Sequence, residues 1–342
     1  MYLIDDNDDP DVTIDVKVEK VQRRVHHRRD MFEWECSEAF GDIVAFMRQM
    51  NEEVQGTVQS KITIACSDQS TKPPWSSRVQ MVLDILNNVH AWATHNQSDI
   101  NSGYSPVSLF QKFHKMLHSD GHTLIVQMYG AIGSHLTVEL PVYLKQSFGA
   151  PENMEYGIQH EISFTMFLII LYKLNFLTPL DEPYVVCLLF DNSRSFGLND
   201  YHYLPFLWGS AQLIENKCNI LPISIDETRT AKLYKSDFIF MDCLHNLHSL
   251  KQSEPFWKHS YQLWSLKSLS NWEKVNQGLM EMFKRDLLNN YDIVKHLVFG
   301  ESLGFKRDIN RFEKEFYNRI PINLSGITEE MEEIEAEGCK SE

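Results

Sequence analysis

The sequence predicts an all-α protein, and three observations lead to that prediction. Apolar residues recur at three- and four-residue spacing along most of the chain, whereas alternating strand patterns are few. The stretch 156–174 is apolar almost all round, which is typical of a helix buried at the centre of a bundle. Proline and glycine fall between the periodic stretches, where they end or restart helices.

The N-terminal half contains four helical patterns, each bounded by a recognisable signal. Gly56 ends the first, Pro73-Pro74 precedes the second, Asp120-Gly121 ends the third, and Pro141 breaks the fourth. The predicted helices are 34–54, 77–94, 105–118 and 123–146.

The C-terminal half begins with the predicted central helix, which Tyr156-Gly157 introduces. Residues 184–190 fit either a buried strand or a helix, and a helix agrees better with the rest of the chain. Further helices are predicted at approximately 206–215, 232–250 and 271–288.

Acidic residues are concentrated at the two ends of the chain. The formal net charge of the 342 residues is −15, but residues 1–16 carry six Asp and residues 328–342 carry seven Glu against one Lys. We therefore predict a disordered N-terminal segment at 1–29, a helical domain at 30–305 and a C-terminal extension with an acidic tail at 306–342. The basic stretch from Arg23 to Arg29 is more typical of a solvated connecting segment than of a nuclear-import or anion-contact patch.

Composition excludes several classes of function. The body between the tails is nearly neutral, so no broad basic field indicates nucleic acid. We expect no membrane span, because the longest apolar run is too short and Lys173 interrupts it. Six scattered cysteines and no secretory signal favour free thiols and a cytoplasmic location, with a nuclear one also open. His160-Glu161 is not a zinc-protease motif, because Phe164 stands where the second histidine belongs.

Two aromatic-rich stretches, 197–213 and 264–279, are unusual for ordinary helix faces. In the first, Asp200 could cap a helix or hold a cation, and Pro205 predicts a break before a new helix. In the second, Asn276 and Gln277 could cap or bridge buried backbone. Farther on, Lys295 and His296 fit either phosphate contacts or a surface pair.

Several motifs, taken in order, resemble the phosphotyrosyl phosphatase activator family, whose members activate protein serine/threonine phosphatase 2A. The resemblance covers approximately residues 30–300, and so many aromatic motifs in one order make it specific. Its motifs are Trp34-Glu35-x-Ser37-Glu38-Ala39, Val142-Tyr143-Leu144-Lys145-Gln146-Ser147, Tyr156-Gly157-x-x-His160-Glu161, Gly197-Leu198-x-Asp200, Leu204-Pro205-Phe206-Leu207-Trp208-Gly209-Ser210, Gln262-Leu263-Trp264 and Trp272-x-Lys274-Val275-Asn276-Gln277-Gly278-Leu279.

This resemblance implies core, linker and lid subdomains around a deep cleft. It implies binding to the phosphatase catalytic subunit, with or without the scaffold subunit, use of ATP and Mg²⁺, and peptidyl-prolyl isomerase activity. It assigns the nucleotide to Tyr156, Gly157, His160, Val294 and His296, and the metal to Asp200. The residues it assigns to partner binding are Gly197, Leu198, Pro205, Trp208, Gly209, Asn276, Gln277 and Gly278.

The chain departs from the family pattern beside the nucleotide residues. Asn153 stands in place of an arginine, and Ile158-Gln159 in place of Thr-Gly. These changes remove a bidentate phosphate donor and a position of close backbone approach. The alternative function is therefore a divergent paralogue that binds the phosphatase but has lost ATP-dependent activation.

Overall fold

The computed structural model describes residues 21–58, 75–98, 104–132, 139–152, 154–182, 184–186, 202–251 and 254–307, without the side chains of 95–98 and 129–132. Within these residues all regular structure is helical, and extended pairing is limited to three isolated bridges. The predicted all-α class is confirmed. None of the described helices has the length and apolar character needed to cross a membrane.

The described residues up to Lys173 contain six α-helices. Ser37 divides the predicted first helix in two, because its side chain accepts a hydrogen bond from Phe40 N (3.2 Å) and caps the second piece. Pro141 lies in the first turn of a restarted helix, as predicted. The helices are Met31–Glu35, Glu38–Glu53, Ser77–Ser98, Pro106–Ile132, Leu140–Gln146 and Ile158–Lys173.

The predicted helix end at Asp120-Gly121 is wrong, because the helix continues to Ile132. A glycine inside a helix costs about 1 kcal/mol relative to alanine. Burial of Ile125 and Met128 in the next two turns offsets that cost.

The C-terminal part contains shorter helices and 3₁₀ turns. The predicted helix at 232–250 is two helices, because the buried Gln212 side chain accepts a hydrogen bond from Ile239 N (2.9 Å) and so provides a new helix start. The helix from Trp272 continues as a π-helical segment, Phe283–Leu288. The α-helices are Leu204–Gln212, Thr228–Tyr234, Ile239–Leu250, Phe256–His259, Tyr261–Ser265, Trp272–Met282 and Tyr291–Val294.

Ile158–Lys173, here called the central helix, lies inside the molecule. Every residue from His160 to Leu171 is buried, and the helix packs against Leu140–Gln146 and Glu38–Glu53. Leu204–Gln212, here called the Trp208 helix, is buried along its whole length. It packs against Ile239–Leu250 and Trp272–Met282, so that one continuous apolar core joins both halves.

The packed body begins before the predicted boundary at residue 30. Gln22 and Phe299 form an antiparallel bridge with two backbone hydrogen bonds (3.1 and 2.9 Å), and Val25 is buried. Residues 21–29 are thus part of the folded body and not of a disordered segment. Residues 1–20 and 308–342 lie outside the described part of the chain.

Candidate functional site

The first turn of the central helix forms one side of the candidate site. The helix begins after Tyr156-Gly157, as predicted; Gly157 is its N-cap residue, and His160 and Glu161 follow one turn later. The preceding loop closes on itself, because Ala150 N donates a hydrogen bond to Glu155 O (2.8 Å). Gly149 has a φ of +91°, a left-handed conformation that favours glycine, and Glu155 O lies 3.0 Å from where a Cβ would be.

A cavity of about 430 Å³ opens beside this turn, and we call it the histidine cavity. It brings together residues from the N-terminal segment, the Pro106–Ile132 and Leu140–Gln146 helices, the 149–155 loop, the central helix and the chain after Val294. Its polar lining consists of two cations (Arg23 and Lys145), three imidazoles (His114, His160 and His296), two carboxylates (Glu152 and Glu155), two amides (Gln146 and Gln159) and the Ser163 hydroxyl.

His160 is held as a neutral imidazole. Its Nδ1 lies 2.6 Å from Gln146 O, and since a carbonyl only accepts, the imidazole must carry its proton on Nδ1. Burial lowers the pKa of His160 below its usual value. The other ring nitrogen, Nε2, is then an acceptor and lies 3.4 Å from Gln159 Nε2.

His296 lies in the same cavity, so the structure brings together two of the predicted nucleotide-binding residues. Partial burial lowers the pKa of His296, and the charges of Lys295 and Arg23 lower it further. Because both imidazoles are neutral near pH 7, a phosphate would depend on Arg23 and Lys145 for charge.

The other predicted nucleotide-binding residues, Tyr156, Gly157 and Val294, do not line this cavity. The Tyr156 ring is between His160 (ring centroids 5.5 Å apart) and His202 (5.1 Å). Burial raises the pKa of Tyr156 well above its usual value, and the nearby Glu161 raises it further. Val294 is fully buried two residues before His296. Tyr156 therefore supports the cavity wall through its ring contact with His160.

Glu161 connects the cavity wall to the Trp208 helix. Its Oε2 accepts hydrogen bonds from Tyr203 N (3.0 Å) and Leu204 N (3.2 Å), where that helix begins. Its Oε1 is buried and has no hydrogen-bond partner among the described residues. Burial raises the pKa of Glu161 to about 7. We did not predict this role from the sequence; the available signal was a single acid on an otherwise apolar helix.

Most of the predicted partner-binding residues that can be placed are buried. Pro205, Trp208 and Gly209 lie inside the core on the Trp208 helix, and Asn276 is 6% exposed. In this conformation they do not form an open surface, which differs from the groove that the sequence suggested. Gln277 is exposed and Gly278 half-buried. Partner contact by these residues stays a prediction.

Asn276 joins three helices at this position. Its amide exchanges two hydrogen bonds with the amide of Asn51 (2.9 and 2.8 Å). The second Nδ2 hydrogen is shared between Leu207 O (N···O 3.1 Å) and Ser210 Oγ (3.0 Å) on the Trp208 helix. The bridging role considered for Asn276 is thus observed.

Four residues of the sequence predictions, Asn153, Gly197, Leu198 and Asp200, lie outside the described residues. Within the described ranges no group of three or more His, Cys, Asp or Glu side chains could hold a metal ion. The metal prediction for Asp200 therefore stays a prediction.

Comparisons with known proteins agree with the resemblance seen in the motifs. A family model described as phosphotyrosyl phosphate activator (PTPA) protein matches residues 21–193 and 191–305. The chain is 25% identical to the probable serine/threonine-protein phosphatase 2A activator 2 of Dictyostelium discoideum, over 88% of this chain and 69% of that protein. It is 26% identical to the serine/threonine-protein phosphatase 2A activator of Drosophila melanogaster, over 85% of this chain and 75% of that one.

A solved structure has the same fold. The crystal structure of the PP2A phosphatase activator Ypa1 PTPA1 matches with a TM-score of 0.72 and 19% sequence identity. The match covers 85% of this chain and 96% of that one. This likeness confirms the helical architecture predicted from the periodicity.

Proposed function

Because this chain belongs to the phosphotyrosyl phosphatase activator family, we propose that it activates protein serine/threonine phosphatase 2A by binding the catalytic subunit. The family match carries this proposal, since its two segments together extend from residue 21 to residue 305 and include every described residue of the histidine cavity. Relatives named as activators of this phosphatase, in organisms as different as Dictyostelium discoideum and Drosophila melanogaster, support the same function.

Binding is tested by mixing the purified chain with purified phosphatase catalytic subunit and measuring the affinity by biolayer interferometry. Among the described residues of the predicted partner-binding set, Gln277 is the exposed one, so Gln277→Arg should weaken binding. Gln127→Arg, on an exposed position of the Pro106–Ile132 helix, makes the same chemical change outside that set. If the unmodified chain does not bind, the proposal is wrong.

ATP is the proposed ligand of the histidine cavity. Ligand pockets typically measure about 300–1,000 Å³, and the cavity of about 430 Å³ falls in that range. Arg23 and Lys145 supply cationic donors for phosphate, while Gln159 and the neutral imidazoles offer hydrogen bonds to other groups.

Magnesium is proposed to enter with the nucleotide. Protein Mg²⁺ sites commonly use one or two carboxylates together with substrate phosphates and waters. Asp200 remains the proposed protein ligand. Calorimetric titration of the purified chain with ATP, with and without Mg²⁺, tests both ligands, and no measurable heat under either condition would contradict the nucleotide proposal.

The divergent-paralogue alternative has one structural observation in its favour. A Cβ on Gly157 would lie 2.8 Å from Gln159 Oε1, so the Gln159 side chain fills space next to the first turn of the central helix. A glycine at position 159 would leave that space open. The alternative predicts phosphatase binding without an ATP-dependent gain in serine/threonine phosphatase activity, and a measured gain would exclude it.

Peptidyl-prolyl isomerase activity is proposed on the resemblance alone. Isomerisation is favoured by an apolar, desolvated pocket. The histidine cavity is polar, and Trp208 is buried in the core. A proline-peptide isomerisation assay tests the activity, and a rate equal to the uncatalysed one would remove it from the proposal.

A further inference from the structure

The basic N-terminal segment forms part of the wall of the histidine cavity. Two backbone hydrogen bonds join Gln22 to Phe299, and the buried Val25 anchors the chain three residues later. The two residues between these anchors, Arg23 and Arg24, are therefore held in place against the folded body. Arg23 lines the histidine cavity together with His296.

Arg23 and Arg24 face different surroundings. Side chains of successive residues in an extended chain point to opposite sides. Consistent with this, Arg24 lines a separate cavity of about 180 Å³, where Glu38 and Glu301 are its acidic neighbours. Only Arg23 of the pair can reach a ligand in the larger cavity.

The two cations of the histidine cavity have no acidic partner in the described part of the chain. No ion pair or hydrogen bond joins Arg23 or Lys145 to any carboxylate there. Both cations line the cavity, and the charge of Arg23 acts on His296 whereas that of Lys145 acts on His114.

A carboxylate of the cavity also acts on each of these two imidazoles. Glu155 acts electrostatically on both His160 and His296, and Glu152 acts on His114. Cations next to separate histidines suit an extended anion with several negative charges better than a single carboxylate. A guanidinium also offers paired N–H donors, which match two oxygens of one phosphate.

We propose that Arg23 is a phosphate-binding residue of this chain, which donates hydrogen bonds to a polyphosphate anion in the histidine cavity while Lys145 holds the same anion from beside His114. The ligand class is a polyphosphate, free or as part of a nucleotide. This inference rests on the proposed nucleotide function for its biological meaning, but the arginine site itself can be tested without a nucleotide.

The test compares Arg23→Gln with Arg24→Gln, which removes the same charge at the adjacent residue. Inorganic tripolyphosphate and ATP are each titrated into the full-length chain by calorimetry. We expect Arg23→Gln to weaken tripolyphosphate binding by at least about tenfold, as for loss of hydrogen bonds to a charged group. Arg24→Gln should stay within about twofold of the unmodified chain, because long-range charge effects are screened by salt. Thermal unfolding checks that both variants are folded.

Arg23→Lys provides a second measurement. This variant keeps the positive charge but loses the paired N–H donors of the guanidinium. Its affinity for tripolyphosphate should therefore lie between those of the unmodified chain and Arg23→Gln. Equal tripolyphosphate binding by Arg23→Gln and the unmodified chain, equal weakening by both glutamine variants, or no tripolyphosphate binding at all would each overturn the assignment.

Titration with ATP distinguishes a failure of the arginine assignment from a failure of the proposed nucleotide function. If ATP binds the unmodified chain and Arg23→Gln equally well, the nucleotide proposal stands and the arginine assignment is wrong. If tripolyphosphate binding depends on Arg23 but ATP binds no tighter than tripolyphosphate, the arginine assignment stands and recognition of the nucleoside is absent.

Discussion

Glu161 is a carboxylate in an environment that favours its protonated form. It is 3% exposed, and only one of its oxygens accepts hydrogen bonds, from the first amides of the Trp208 helix. Those two amides favour the ionised form, but desolvation is larger and raises the pKa of Glu161 to about 7. A proton on the other oxygen, Oε1, removes a buried charge without disturbing the cap.

Glu161 should make stability depend on pH. In the unfolded chain the carboxyl ionises in its usual range, whereas the folded chain keeps the proton until about pH 7. The contribution of Glu161 to the free energy of unfolding therefore falls as pH rises from the usual carboxyl pKa to about 7. Outside this range its contribution does not change with pH. Glu161→Gln keeps an acceptor for the two amides and cannot ionise. Relative to the unmodified chain, we expect this variant to gain about 3 kcal/mol in free energy of unfolding from about pH 4 to about pH 8.

Urea unfolding of both proteins at several pH values measures this gain. A stability difference that stays constant across the range would show that Glu161 ionises in the folded chain as it does in the unfolded one.

Two glycines that the family motifs assign to partner binding should respond in opposite ways to alanine. A Cβ on Gly209 would lie 2.9 Å from both Cα and Cβ of Phe240, so Gly209→Ala forces two helices apart. We expect a loss of at least about 2 kcal/mol in free energy of unfolding. A Cβ on Gly278 would meet no atom within 4 Å, so Gly278→Ala should gain about 0.5–1 kcal/mol from helix propensity.

Chemical denaturation of the two glycine variants provides the comparison. Equal effects would mean that the close approach of the Trp208 helix to Phe240 does not limit the residue at position 209. Because Gly278 is half-buried and not tightly packed, its alanine variant also tests partner binding without a large change in stability.

At the scale of elements, one buried amide fixes how three helices meet. The four hydrogen bonds at Asn276 join its own helix, Trp272–Met282, to Glu38–Glu53 and to the Trp208 helix. Packing alone would allow these helices to slide, whereas an amide pair with defined donors and acceptors selects one arrangement.

Asn276→Ala should destabilise the protein by about 3 kcal/mol, because it removes the hydrogen bonds that Asn276 makes to the Trp208 helix and leaves the half-buried Asn51 amide without its partner. Gln277→Ala, at the exposed neighbouring position, should change stability by less than about 0.5 kcal/mol. Urea unfolding of both variants checks this, and a neutral Asn276→Ala would show that the amide network contributes little to stability.

At the scale of the whole molecule, the first and last parts of the described chain are joined by direct contacts. Trp34 is fully buried and donates a hydrogen bond from Nε1 to Leu288 O (2.7 Å). Its ring lies against Phe299 (centroids 5.1 Å apart) and Phe305 (6.4 Å). The Gln22–Phe299 bridge joins the same two parts of the chain.

Trp34→Ala should therefore cost about 3–5 kcal/mol, the usual loss for a large buried aromatic. Trp257 is 54% exposed, and Trp257→Ala should change stability by less than about 0.5 kcal/mol. Equilibrium unfolding followed by circular dichroism measures both. Similar losses for the two tryptophans would contradict the view that Trp34 holds the ends together.

Local signals in the sequence determined the class of the fold and many helix starts. Gly157 begins the central helix and Pro141 restarts its neighbour because N-caps and first-turn prolines act within one turn of the chain. The uniformly apolar composition of the central helix predicts its burial for the same local reason. The motif order was also sufficient to identify the family.

Only the tertiary structure decided which side chains meet. The Arg23 side chain reaches the cavity of His296 because a backbone bridge to Phe299 places it there, and no local pattern encodes a contact between opposite ends of the chain. The sequence predicts that Trp208 lines a groove, whereas the structure buries it in the core. Burial depends on the helices that pack around Trp208, and the local sequence does not specify them. Periodicity specifies the apolar face of a helix, but long-range packing selects what covers that face.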